Sequence, residues 1–229
     1  VLAGLAILGS MAAQGPPIYW VSNHRRHHQF ADAKGDPHSP HRHDGRALGF
    51  WAGLWHAHSG WSFTHELSNP VYFCKDLLRD RLLCRINRHY YGWVLLGLAL
   101  AAGAGGVIER SAAGLWDGLI WGGGVRLFLS YHLTGSINSV THAIGYRSFE
   151  TPDHSRNNWL LGLATLGEAW HNNHHASPSS AVFGVAWWEI DIGAAVVRGL
   201  EALRLASNVR RFNLQAVARK RVPATERAP

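Results

Sequence analysis

Cysteine is scarce in this chain, with two in 229 residues. Cys74 and Cys84 form no C-x-x-C and have no second pair beside them, so neither a disulfide framework nor a thiolate metal site is expected. That pattern fits a reducing compartment. Charge is scarce as well: 16% of residues are Asp, Glu, Lys or Arg, against roughly 25% in soluble domains. No basic leader precedes the apolar run at Val1, so it does not read as a secretory signal. A run that begins at the first residue instead reads as the back half of a longer hydrophobic span, and the chain as N-terminally incomplete. The formal net charge is +7, yet the basic residues are not interleaved with aromatics in a nucleic-acid-binding pattern. No nucleic-acid partner is therefore expected. The basic residues flank apolar segments, as cytoplasmic loops facing anionic lipid headgroups do.

What the chain has is apolar bulk and histidine. Hydrophobic residues make up 47%, with 11 Trp and 16 His. The mean hydropathy of −0.10 averages very apolar segments with His- and Arg-rich ones. Val1 to Ala13 is about 20 Å long as a helix, too short alone for a bilayer core of about 30 Å. Tyr90 to Ile108 carries no charge and leads with aromatics, and it is the best transmembrane helix candidate. Leu115 to Leu133 is a second candidate. Its Asp117, Arg126 and His132 must face protein or water, because isolated charges in hydrocarbon are costly. A loop of about six residues between the two predicts a tight antiparallel hairpin. Ala31 to Arg46 reads as a loop, in which His38, His41 and His43 read as solvated. Gly49 to Phe63 reads as an interfacial amphipathic segment rich in Trp. The sequence predicts one amphipathic helix over NNWLLGLATLGEAWHNNHH and another, long and surface-associated, over AVFGVAWWEIDIGAAVVRGLEALRLA. His65-Glu66 does not open a zinc-protease motif, because Asn69 stands where its second His belongs.

The pattern H-x-x-H-H occurs twice, as His24–His27–His28 and as His171–His174–His175. At 3.6 residues per turn, each triplet gathers its imidazoles on one stripe of a helix. Neutral imidazole is the commonest protein ligand for iron, zinc and copper. The bland alternative, two solvated surface clusters, is hard to reconcile with the duplication. The predicted hairpin returns the chain to the side it left, so both triplets share one membrane face. The basic segments make that face cytoplasmic. Asn138 and His142, spaced i and i+4 after the second candidate span, extend toward the same region. Seven histidines exceed the usual six ligands of one ion, so two metals fit the count better. An all-nitrogen dinuclear centre suits iron activating O₂, although zinc is not excluded by sequence.

HRRHH, NSVTHAIGYR and GEAWHNNHH, in that order, resemble the membrane-bound fatty acid desaturases, specifically the delta-9 (stearoyl-type) group. The resemblance runs from about Leu2 to Ala206 and includes GDPH (Gly35 to His38) and H-x-G-W (His58 to Trp61). It implies an all-α, multi-pass membrane bundle with a cytosolic helical cap holding a di-metal site. The desaturase domain would occupy residues 1–206, followed by a basic tail over 207–229. The implied chemistry uses two irons, O₂ and two electrons to put a cis double bond into a saturated acyl chain. The implied ligands are His24, His27, His28, His142, His171, His174 and His175, with Asn138 holding a water. The implied partners are an acyl-CoA or acyl-lipid substrate, the bilayer, and an electron donor such as ferredoxin or cytochrome b5 with its reductase.

The chain departs from the family pattern in two places. An upstream H-R-x-x-x-H box is absent, which supports truncation and implies that this chain alone is inactive or weakly metallated. The stretch QGPPIYWVSN (Gln14 to Asn23) is uncharged, which is more similar to the bacterial and plant-type branch than to animal acyl-CoA enzymes. Two alternatives stand beside this reading: an acyl-chain hydroxylase on the same scaffold, and a membrane protein that binds or transports a metal. Residues that would bind the substrate are not identified by sequence.

Overall fold

The computed structural model describes residues 1–64 and 67–222. The His65-Glu66 pair and the last seven residues of the expected tail lie outside these. In chain order the helices are α1 (Leu2–Ser10), α2 (Pro17–Phe30), α3 (Phe50–His58), α4 (Pro70–Phe73), α5 (Lys75–Leu78), α6 (Arg81–Arg88) and α7 (Tyr90–Glu109). They continue as α8 (Ala112–Asp117), α9 (Arg126–Ser139), α10 (Trp159–Ala164), α11 (His171–Ala176), α12 (Ile192–Ala202) and α13 (Leu214–Val217). The chain is thus mostly helical. A two-strand hairpin, β1 (Arg42–His43) against β2 (Arg46–Ala47), departs from a strictly all-α reading. Asp44 and Gly45, at φ 51° and 78°, make its tight turn, as Asp-Gly does where both central residues need positive φ.

The described residues divide into two compact units. The first takes in Val1–Arg25 and Leu67–His132. Its small apolar core gathers Ile18, Cys74 and Leu83, with Ala6, Val21, Phe73 and Leu77 packed around them. Asp80 caps α6 by accepting from Leu82 N and Leu83 N at 2.9 and 3.0 Å. That cap sets a face burying Leu83 and Ile86 and leaves Arg81, Arg85 and Arg88 exposed. The N-terminal N–H groups of a helix lack intrahelical partners. Here the start of α2 is met by Asn87, whose Oδ1 accepts from Ile18 N at 2.9 Å. Both cysteines are free.

Helix α7 runs 20 residues, or about 30 Å at 1.5 Å per residue. Among the described residues it is the one helix long and apolar enough to cross a membrane. It ends at Arg110 in the left-handed region (φ 51°), and Ser111 caps α8 by accepting from Gly114 N at 3.0 Å. The turn is therefore two residues, where six were expected, because α7 runs on through Glu109 and α8 already starts at Ala112. Backbone meets backbone along this hairpin: a Cβ on Gly105 would lie 2.1 Å from Gly114 O, and one on Gly118 would lie 2.2 Å from Ala101 O. Small residues permit that approach, as in packed membrane helices. Helical structure is continuous from Ala112 to Ser139, through a π-helical stretch over Gly118–Val125. Arg126 donates from Nε to Gly122 O at 2.6 Å and from Nη2 to Met11 O at 3.1 Å. The guanidinium thus caps the carbonyl end of α1, which favours positive charge.

The second unit holds the described parts of Arg26–Glu66 and Leu133–Pro229. Its apolar core is small, with Phe149, Ala176 and Val217 at the centre. Buried polar groups tie most of it together instead. The helix expected over NNWLLGLATLGEAWHNNHH is two short helices, α10 and α11. Leu166 (φ 58°) and Gly167 (φ 108°) break it, and Gly167 N bonds back to Gly162 O at 2.8 Å. The Asp191 carboxylate lies 2.7 Å from where a Cβ on Gly167 would be, so a larger residue has no room there. The long helix expected over 181–206 is confined to α12. Asp191 is the reason. Its Oδ1 caps α12 through Ala194 N at 2.7 Å, and its Oδ2 accepts from Phe183 N and Gly184 N at 2.7 and 3.0 Å. Residues 181–191 are thereby folded into a loop.

Candidate metal centre

Four of the expected ligands converge in the second unit. His27 comes from α2 and His142 from a 3₁₀ turn that continues α9 (Val140–His142), while His171 and His175 come from α11. All four are buried, and one ring nitrogen of each lies within 4.8 Å of the others. His142 and His171 approach at 3.0 Å through Nε2, His171 and His175 at 3.1 Å, and His175 and His27 at 3.3 Å.

Three carboxylates fix these rings from behind. Nδ1 of His142 donates to Asp32 Oδ2 at 2.7 Å, Nδ1 of His175 to Asp153 Oδ2 at 2.9 Å, and Nδ1 of His27 to both oxygens of Asp36 at 3.0 Å. A carboxylate behind the imidazole is the usual way a metal-ligating His is oriented and its tautomer set. Burial would raise the carboxyl pKa of Asp32, yet the hydrogen bonds it accepts, from the His142 ring above all, win and hold it well below the usual range. Asp36 is held down likewise by His27, against its own burial. Burial is also the first cause that pushes the His171 and His175 pKa values far down, with the neighbouring imidazoles adding to it.

Each of three rings spends its Nδ1 proton on a carboxylate, so its Nε2 presents a lone pair to the shared centre. Burial opposes a second proton on His171 and His175. The Nε2 lone pairs of His27 and His175, facing one another at 3.3 Å, repel unless a cation sits between them. Metal–nitrogen bonds of about 2.1 Å place cis or tetrahedral ligand nitrogens about 3.0–3.4 Å apart. The donor set fits a transition-metal ion.

A second focus adjoins the first. His28 and His174 bring their Nε2 atoms to 2.8 Å, and the His28 ring centre is 4.5 Å from that of His175. Burial, then His174, lowers the His28 pKa to about 2. His174 is backed by Phe183, stacked at 4.3 Å. His24 belongs to the first unit, one turn before His28 on α2, with its ring stacked on Trp20 at 4.8 Å. Asn138 is half-buried on the last turn of α9 and makes no hydrogen bond to the clustered imidazoles.

Sequence reasoning missed several groups here. Asp32, Asp36 and Asp153 carry no spacing signal relative to the histidines they serve, although Asp36 lies in the GDPH patch. His38, read as solvated, is buried with its ring stacked on His27 at 4.3 Å, and burial followed by the neighbouring His27 ring lowers its pKa to about 3. His41, likewise read as solvated, is half-buried and donates from Nε2 to His142 O at 2.8 Å. His58 of H-x-G-W contacts Ser139 Oγ at 3.2 Å, and a Cβ on Gly135 would lie 2.8 Å from His58 O.

The family model for fatty acid desaturases matches residues 2–207. The chain is 47% identical over 209 residues to a hex-5-enoyl-[acyl-carrier protein] acetylenase of Moorena producens, which covers 90% of this chain and 65% of that protein. It is 39% identical over 213 residues to an icosanoyl-CoA 5-desaturase of Limnanthes douglasii, covering 90% and 54%. It is 35% identical over 209 residues to an sn-1 stearoyl-lipid 9-desaturase of Anabaena variabilis, covering 90% and 70%. The chain therefore spans between about half and 70% of the length of these relatives.

Proposed function

The chain belongs to the fatty acid desaturase family, and from that premise we propose that the protein is an acyl-chain desaturase working at a membrane surface with two His-held iron ions. The observation that carries this reading is the set of four buried imidazoles whose Nε2 atoms face one another while carboxylates hold Nδ1 on three of them. His27, His142, His171 and His175 are the proposed ligands of one ion. His28 and His174 are proposed for the other, with His24 one turn earlier on the same helix and Asn138 holding a water. An unactivated methylene has no acidic proton, so acid–base groups of the protein cannot break its C–H bonds. When bound, the irons supply the O₂-derived oxidising power for that step. The overall balance takes –CH₂–CH₂–, O₂, two electrons and two protons to –CH=CH– and two waters.

The residues present contribute position and dryness. Asp32, Asp36 and Asp153 keep three Nε2 lone pairs aimed inward. Burial keeps His28, His171 and His175 neutral and able to ligate. Helix α7 and the continuous run over 112–139 are proposed to cross the bilayer as a hairpin, in a multi-pass protein whose metal centre faces the cytoplasm. The basic residues of α6, just ahead of α7, support that orientation. We propose delta-9 dehydrogenation of an acyl-CoA or acyl-lipid, with a ferredoxin or cytochrome b5 system as electron donor.

The 47% identity to an acetylenase favours one second reading, dehydrogenation of an existing double bond to a triple bond. Expression of the whole gene in desaturase-deficient cells, with fatty acid analysis, tests both. A new cis alkene at carbon 9 of a saturated chain supports the first reading, an alkyne formed from an added enoyl chain supports the second, and no unsaturated product overturns both.

A further inference from the structure

The second His triplet sits on a helix too short to place itself. Helix α11 has six residues and no side-chain N-cap hydrogen bond, so tertiary ties must set where its imidazoles point. The two Asn residues inside His171–His175 supply them on opposite sides. Asn172 accepts from Ser148 N and Phe149 N, both at 2.8 Å, and donates to Phe149 O at 3.0 Å. Asn173 is fully buried and faces Glu189, which is itself 4% exposed.

Five donors converge on that one carboxylate. Its Oε2 accepts from Asn173 Nδ2 at 2.9 Å, Val185 N at 2.6 Å and Ala186 N at 2.8 Å. Its Oε1 accepts from the Tyr146 hydroxyl at 2.6 Å and from Asn157 Nδ2 at 3.3 Å. Asn157 closes the ring by donating to Asn173 Oδ1 at 2.8 Å and accepting from Asn173 N at 3.2 Å. Asn173 also donates to Phe183 O at 2.8 Å, and the Phe183 ring is the one stacked on His174. A carboxylate is needed here because it is the one common side chain that only accepts, at two oxygens. Burial and Glu189 raise the Tyr146 phenol pKa well above its usual value, so Tyr146 remains a donor.

We infer that Glu189 is a positioning residue for the metal centre: through Asn173 and the Phe183 loop it fixes the His174 imidazole in its ligating orientation. The inference rests on the proposed function, in which His174 holds a metal. Residues behind metal ligands typically carry 10- to 100-fold of the affinity.

The test uses the full-length protein loaded with Co(II), with stoichiometry, chelator competition and visible absorption measured for wild type, Glu189→Ala and Glu189→Gln. In Glu189→Gln the amide nitrogen must take the Oε1 side, since the three N–H donors on Oε2 cannot reverse. That variant keeps the Asn173 bond but sets its N–H₂ against Asn157 Nδ2, which itself holds Asn173 Oδ1, so a smaller loss is still expected and carries the test should Glu189→Ala not fold. The expected result is about 10- to 100-fold weaker binding of one ion in Glu189→Ala and a smaller loss in Glu189→Gln. The absorption bands of that ion should shift while those of the other stay unchanged. Wild-type affinity and bands in the variants that fold, whatever their thermal stability, would show a merely structural Glu189 and overturn the inference. A wild type that binds no Co(II) at all would instead overturn the metal-centre reading beneath it.

Discussion

Asp36→Asn is the sharpest single perturbation of the proposed centre. Both oxygens of Asp36 are committed twice: each lies 3.0 Å from His27 Nδ1, Oδ2 accepts from Asp32 N at 2.8 Å, and Oδ1 accepts from His38 N at 3.0 Å. An amide has one acceptor oxygen, so its N–H₂ must face a buried backbone N–H that cannot turn away. Leaving such a donor unsatisfied costs about 1–3 kcal/mol of folding stability. The His27 ring also loses the anion that orients it and raises its basicity. Loss of that support is expected to weaken metal binding about 10- to 100-fold, equivalent to about 1.4–2.7 kcal/mol. Chelator competition reads the affinity, and thermal unfolding of the metal-free protein reads the stability.

The pH dependence has a definite sign. The folded-state pKa of Asp36 is depressed, so the stability it contributes is present above the unfolded carboxylate value of about 3.9 and is lost as pH falls below it. The gap between wild type and Asp36→Asn should therefore be full at neutral pH and narrow under acid. Unchanged affinity in a folded Asp36→Asn protein would refute the reasoning that a carboxylate is what orients His27.

Four further outcomes follow from the same geometry. Gly118→Val puts its Cβ about where Ala101 O already sits, and overpacking of that kind is expected to cost at least about 1–3 kcal/mol, read as a lower melting temperature in detergent or no folded protein. Asn172→Ala strands the N–H groups of half-buried Ser148 and buried Phe149, with an expected loss of about 1–3 kcal/mol in the same assay. Asp76→Asn removes the exposed ion pair with Arg25 at 2.6 Å and should change stability by less than about 1 kcal/mol. A cysteine at Ser111, on the two-residue turn after α7, should react with an impermeant thiol reagent only from the face opposite the metal centre; labelling from the cytoplasmic face would contradict the hairpin.

Much of the candidate site was legible because histidine triplets at helical spacing project onto one stripe whatever the surrounding fold. The clustering of His27, His171 and His175, and of His28 with His174, is legible that way, and that of His142 from its position after an apolar helix. The apolar character of α7 was equally plain, since the absence of charge from Tyr90 to Ile108 needs no tertiary context. The carboxylates were not legible. Asp32, Asp36 and Asp153 reach their imidazoles from loops, and loop conformation is set by tertiary bonds with no period to read. The helix breaks were missed for a related reason. Periodicity continues through Leu166, where positive φ at Leu166 and Gly167 stops the helix, and through the 181–191 stretch, where Asp191 stops it by drawing in Phe183, Gly184 and Ala194 through backbone N–H groups. His38 looked solvated because its loop is polar; the fold buries it against His27.

These imidazoles are proposed to hold transition-metal ions in an acyl-chain oxidising enzyme, and anomalous diffraction at the iron edge from crystals of the full-length protein locates such ions. Two peaks are expected, one about 2.1 Å from Nε2 of His27, His142, His171 and His175 and the other bonded to Nε2 of His28 and His174. No peak among these nitrogens in protein that desaturates acyl chains would contradict that proposal.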